Sequence, residues 1–192
     1  MQKSYLFLAD GFEEIEALTP VDVLRRAGMP VATVSIMPGR KSVVGAHGVT
    51  VEADLQLGDE DFSAAEWLIL PGGMPGATNL AACTELTDAL KAQHQRGGKI
   101  AAICASPGVV LGPLGIADGA EITGYPGFEA SAPEAKWQDV AVCTSGSLVT
   151  GNGPAAALPF ALAIVSATLG PQFSQEIGTA MMFYPRSMNL YV

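Results

Sequence analysis

Three short apolar runs, each stopped by a turn of small residues, constrain this chain more than any other feature. Tyr5-Leu6-Phe7-Leu8-Ala9 stops at Asp10-Gly11, and Trp67-Leu68-Ile69-Leu70 stops at Pro71-Gly72-Gly73. Lys99-Ile100-Ala101-Ala102-Ile103 stops at Cys104-Ala105-Ser106-Pro107. Runs of this length without polar alternation read as strands buried on both faces. Helical spacing lies between them. Ile15, Leu18, Val21 and Leu24 space a helix over 13–27, with Thr19-Pro20 read as a restart and Gly28 as its end. Thr84 to Gln95 reads as a second helix, closed by Arg96-Gly97-Gly98, and about Pro107 to Leu114 as a third.

The remaining segments fit the same scheme. Val31 to Ile36 reads as a strand, and Ser42 to Ala53 as extended chain broken at Gly45 and Gly48. Val140 to Cys143 and Leu148 to Thr150 flank Thr144-Ser145-Gly146-Ser147 as a hairpin. Gly151-Asn152-Gly153-Pro154 then opens an apolar helix running to Leu169. Strands alternating with helices predict an α/β fold, a mostly parallel sheet with helices on both faces. At 192 residues, one domain over 1–192 is expected.

Composition narrows the partners. A net charge of −9, with ten scattered Lys and Arg, argues against nucleic acid. The stretch from Pro154 to Leu169 falls short of the ~20 apolar residues of a membrane span. The three cysteines form no CxxC pair, so neither a disulfide framework nor a metal site is expected. Reduced thiols and a start without leader character suggest a cytoplasmic setting.

In a parallel sheet, ligands bind outside the carboxyl ends of the strands. The first strand, the Pro71-Gly72-Gly73 turn and Cys104 should all end there. A residue at a sharp strand-to-helix elbow is pushed out with a strained backbone. A helix beginning behind Cys104 would aim free N–H groups at its sulfur, lowering the thiol pKa. The plainer alternative is a cysteine that only fills a strand end. The N–H groups of Gly72, Gly73 and Ala105 would make an oxyanion site, or the glycines only turn the chain. Glu13, Glu14 and Glu16 suit the first turn of a helix as solvated acids. Glu16 sits one turn deeper than Glu13. If it faces the crevice, burial raises its pKa and lets it stay protonated beside Cys104. His94 reads as a surface residue, and Cys83 and Cys143 have no special setting. His47, between Gly45 and Gly48, sits in a turn from which an active site across an interface would be within reach.

These segments together resemble the ThiJ/PfpI superfamily, most nearly the branch of the Parkinson's-disease-associated protein deglycase and bacterial YajL. The likeness rests on Ala9-Asp10-Gly11-Phe12-Glu13-Glu14-Ile15-Glu16, Pro20 to Gly28, Leu70-Pro71-Gly72-Gly73, Ala101 to Pro107 and Gly153-Pro154. It implies a flavodoxin-like sandwich and a homodimer. It also implies a reactive cysteine at Cys104, a protonated partner at Glu16, and backbone contacts at Gly73 and Ala105. Two histidine positions of the superfamily are not filled. Ala105 directly follows the cysteine, and Tyr125-Pro126 stands where one relative has His-Pro. His47 occupies the place of an arginine that reaches over from the partner subunit. Tyr125, Pro126, Phe128, Asn152 and His47 would then shape the pocket.

The activity implied is cofactor-independent glyoxalase or deglycase chemistry on a small aldehyde or glycated substrate. A redox-responsive stress protein or chaperone acting through Cys104 oxidation is the alternative. Peptidase or amidase activity is disfavoured by the missing histidines.

Overall fold

The computed structural model describes residues 1–183, so residues 184–192 of the expected domain lie outside the description. The elements begin with β1 (Ser4–Leu8), α1 (Glu14–Arg26) and β2 (Val31–Ser35). Then come β3 (Ser42–Val44), β4 (Thr50–Glu52), β5 (Leu55–Gln56) and β6 (Trp67–Leu70). α2 (Gly76–Ala82), α3 (Thr84–Gln95) and β7 (Lys99–Ile103) follow. The chain continues with β8 (Glu121–Ile122), β9 (Lys136–Trp137), β10 (Val142–Ser145), β11 (Leu148–Gly151), α4 (Ala157–Leu169) and α5 (Pro171–Ala180).

The main sheet has the order β10-β11-β7-β6-β1-β2-β5. Every neighbouring pair is parallel except the edge hairpin β10–β11. This is the predicted flavodoxin-like α/β sandwich. Side chains of each strand alternate between two cores. Leu6, Leu8, Trp67, Ile69, Ala101 and Ile103 face the core made with α1 and α4. Phe7, Leu68, Leu70, Ile100 and Ala102 face the core made with α2 and α3. That two-sided burial is why the strands carry no polar alternation.

Several local readings are corrected. α1 does not restart at Thr19, because Pro20 sits buried inside one continuous helix. Packing of Ala17, Val21, Val23 and Leu24 into the core holds it together across the missing N–H. Gly28 does close it, with φ +70° and the N–H of Met29 returning to Leu24 O at 2.9 Å. Ile15 and Leu18, counted on the buried stripe, are exposed, whereas Glu13, Glu14 and Glu16 are buried. The buried face of the first turn is therefore acidic. After Cys104 the expected helix to Leu114 is a single wide π turn, Pro107–Leu111. Its backbone is pressed on Phe128 and Ser131 at Gly108 and Gly112. α2 and α5 carried no signal strong enough to be predicted.

Candidate active site

β1, β6 and β7 are adjacent in the sheet, so their carboxyl ends open at one place. Cys104 follows β7 directly and has φ +64°, a left-handed conformation that costs a non-glycine residue ~1–2 kcal/mol. Surrounding bonds hold it there. Its N–H donates to Gly151 O at 2.9 Å, and its carbonyl accepts from the N–H of Tyr125 at 2.7 Å. Ser106 Oγ ties the elbow to Pro71 O at 2.6 Å. A side chain at Gly124 would lie 3.0 Å from the Cys104 carbonyl oxygen, so the loop behind the elbow also approaches as bare backbone.

Glu16 meets this sulfur from α1. Glu13 caps that helix, its Oε2 accepting the N–H of Glu16 at 2.8 Å. The cap sends Glu16, which is fully buried, inward beside Cys104, close enough for each group to shift the other's pKa. Glu16 Oε2 accepts the N–H of Gly72 at 2.8 Å, while Oε1 receives no donor. Gly72 is therefore no oxyanion donor, because its N–H is already committed to Glu16. Its glycine identity is steric: an added Cβ would stand 2.6 Å from Cys104 Cβ and 2.7 Å from Glu16 Oε2. The N–H groups of Gly73 and Ala105 lie near enough to the sulfur to lower its pKa.

Burial pushes the Glu16 carboxyl up to about 7, and the neighbouring Glu13 charge adds to it. The Cys104 thiol is pushed up to about 12, by burial first and then by the charge and hydrogen bond of Glu16. The sequence suggested a thiol lowered by a helix N-terminus. Here the helix is one π turn, the sulfur is buried, and the direction is upward. Burial is fixed by the fold, but the part due to Glu16 depends on protonation. Repulsion by Glu16 exists only while Glu16 is ionised. With the proton on Glu16, the Gly73 and Ala105 amides still stabilise a sulfur anion. Between about 7 and about 12 the pair therefore holds one proton and one charge, with the charge on the carboxyl and the proton on the sulfur.

The other candidates lie further out. Tyr125 is half exposed. It lines a groove of about 370 Å³ with Pro126, Asn152, Gly153 and Pro154. A second groove of about 350 Å³ shares Pro126 and Asn152 with it and runs under Trp137. His47 lines neither groove and does not touch the sulfur of its own chain. Its backbone N–H donates to Glu14 Oε1 at 2.7 Å, and its ring Nδ1 pairs with Glu14 Oε2 at 2.8 Å. Both bonds clamp the β3–β4 hairpin to α1. Burial alone would raise the Glu14 pKa, but these bonds and the N–H of Val49 hold it below the usual carboxylate range. Glu13, Glu14 and His47 offer three ligand atoms within 4.8 Å of one another. Within the cluster, Glu13 Oε2 caps α1 and Glu14 clamps His47. Glu13 and Glu14 were read only as solvated acids; the ExxE spacing ahead of a helix was the available sign of an inward cap.

The description of the DJ-1/PfpI family matches residues 2–167 of the chain. The chain belongs to the DJ-1/PfpI family. Among relatives in that family, the C. elegans glutathione-independent glyoxalase DJR-1.2 is 35% identical over 92% of this chain and 94% of its own. The A. thaliana protein DJ-1 homolog A is 33% identical over 93% of this chain. This chain spans less than half the length, 46% and 43%, of that protein and of its homolog B. The solved structure of oxidized Toxoplasma gondii DJ-1 superposes with a TM-score of 0.91 at 34% identity, covering 95% of this chain and 99% of that one. No helix among the described residues is long and apolar enough to cross a membrane.

Proposed function

We propose that this DJ-1/PfpI protein converts small reactive carbonyl compounds, dicarbonyls or early glycation adducts, using Cys104 and Glu16 and no added cofactor. The observation that carries this reading is a strained, buried cysteine beside a fully buried carboxyl. A related protein named a glutathione-independent glyoxalase supports it. The thiol proton passes to Glu16 as sulfur bonds to the aldehyde carbon. The carbonyl electron pair becomes an oxyanion, with the N–H groups of Gly73 and Ala105 beside it. Glu16 returns its proton to that oxygen, giving a hemithioacetal. As a carboxylate it then takes the proton from the former aldehyde carbon, giving an enediolate; the hydroxyl proton passes to the neighbouring oxygen, and Glu16 returns its proton to the adjacent carbon, leaving the acyl group on sulfur as a thioester. Water releases the hydroxy acid, and the thiol is restored. Methylglyoxal would give lactate. Lactate formation should vanish in Cys104→Ser and fall at least a hundredfold in Glu16→Gln. Full activity in Cys104→Ser would refute the reading.

A second reading is redox response, supported by the oxidized state named for the Toxoplasma relative. Peroxide would carry Cys104 to sulfinate, held by the same amides and the Glu16 proton. Intact-mass analysis in which Cys83 or Cys143 oxidises first would count against it. We also propose that the protein pairs with a second copy. Ile15 and Leu18 on α1 and Val44 and Val49 on the hairpin are exposed, although large and apolar. Sedimentation at a monomer mass would refute the pairing.

A further inference from the structure

Glu13 touches both halves of the site. Its N–H donates to Gly72 O at 2.9 Å. Its Oε2 accepts the N–H of Glu16, and the N–H of Gly72 returns to Glu16 Oε2, both at 2.8 Å. These three bonds close a circuit that welds the start of α1 to the turn after β6. The Glu13 side chain is only 9% exposed, and its second oxygen, Oε1, lies 3.9 Å from Nδ1 of His47. Nδ1 is oriented by Glu14, while the imidazole as a whole is 71% exposed. Among the described residues, the titratable groups against Glu13 and Glu16 are Glu14 on α1, His47 from the hairpin loop and Cys104 from the elbow. No Lys or Arg in that set forms an ion pair with either.

We propose that Glu13 is a positioning residue that sets how tightly the Cys104–Glu16 pair holds its proton, and that His47 tunes this through Glu13. The proposal rests on Cys104 and Glu16 being the reactive pair. The physical basis is the cost of a second anion. With Glu13 ionised beside Glu16, charge on either member of the pair is opposed, and the proton stays longer as pH rises. A protonated His47 against Glu13 offsets part of that charge, so the pair releases its proton at lower pH. The bond to Glu14 raises the His47 pKa, so His47 keeps its positive charge to higher pH than a free imidazole. The circuit fixes the geometry, and the two charges set its strength.

The test is the pH profile of Cys104 alkylation by iodoacetamide, read at Cys104 by mass spectrometry on the full chain. Glu13→Gln keeps an oxygen for the N–H of Glu16 and removes only the charge. Its midpoint should fall by roughly half a pH unit. His47→Gln should raise the midpoint by a smaller amount, and the double variant should match Glu13→Gln alone. An unchanged midpoint in folded Glu13→Gln would reduce Glu13 to a helix cap and overturn the proposal. A His47→Gln shift that persists without the Glu13 charge would overturn the link between them. Should Glu13→Gln not fold, the exposed His47→Gln decides alone: an upward shift supports the proposal, and no shift overturns it. If the wild type makes no lactate yet these shifts appear, the carbonyl reading fails and this inference stands. If wild-type Cys104 reactivity does not titrate at all, both the pair and this inference fall.

Discussion

The N–H of Gly72 donates to Oε2 of Glu16 across 2.8 Å, while Oε1 of the same buried carboxyl has no donor. A carboxylate in that setting lacks the donors that normally offset burial, which is why its pKa stands near 7. The folded protein thus binds this proton more tightly than the unfolded chain. The contribution of Glu16 to stability is complete below about pH 4.5 and is lost as pH rises through about 7. Glu16→Gln should therefore be more stable than the wild type at pH 8 by roughly 2–3 kcal/mol, and nearly equal to it at pH 4.5. Urea unfolding of both proteins at the two pH values measures this. A constant difference between them would show that Glu16 is ionised in both conditions.

Gly72 should tolerate no side chain. Gly72→Ala drives a methyl to within 2.6 Å of Cys104 Cβ, and neither β7 nor α1 can retreat from a packed core. A loss of about 2–4 kcal/mol is expected, together with altered Cys104 alkylation. Thermal unfolding read beside alkylation rate checks both effects.

The strain at Cys104 is separable from its chemistry. Gly normally destabilises relative to Ala by roughly 0.5–1 kcal/mol, but at φ +64° the order should reverse. Cys104→Gly should unfold at a urea concentration equal to or higher than that for Cys104→Ala. A clearly weaker glycine variant would mean that the elbow stores no strain.

The hairpin clamp should depend on pH with the opposite sign to Glu16. Glu14 is held below its usual range, so its contribution is present above about pH 4.5 and lost as pH falls through its folded value. Glu14→Ala removes the acceptor for the His47 N–H, the His47 ring and the Val49 N–H, at a cost of about 2 kcal/mol near neutrality. Amide hydrogen exchange in 42–52 should quicken in this variant while the exchange of β1, β6 and β7 does not.

The parts of the fold legible in sequence were those decided by local pattern. β6 and β7 fall on Trp67–Leu70 and Lys99–Ile103 as read, and α3 on Thr84–Gln95. Each is an apolar or periodic run closed by Gly or Pro. The hairpin at Gly146 and the stop at Gly28 follow from backbone freedom that only glycine has cheaply. The acidic turn was misread because the local rule favours solvated acids at a helix start, and nothing within 13–16 says that another chain segment will cover them. Pro20 was misread for the same reason, since core packing overrides its local cost.

Sequence alone thus determined the layers, the strand ends and the one cysteine standing where three strands open. Tertiary structure decided which carboxyl meets that sulfur, which glycine N–H it consumes, and that the thiol is raised rather than lowered. Pattern is a property of neighbours along the chain, whereas proton affinity is set by burial and by charges brought together from 13–16, 47, 72–73 and 104–105. Those distances exist only after folding.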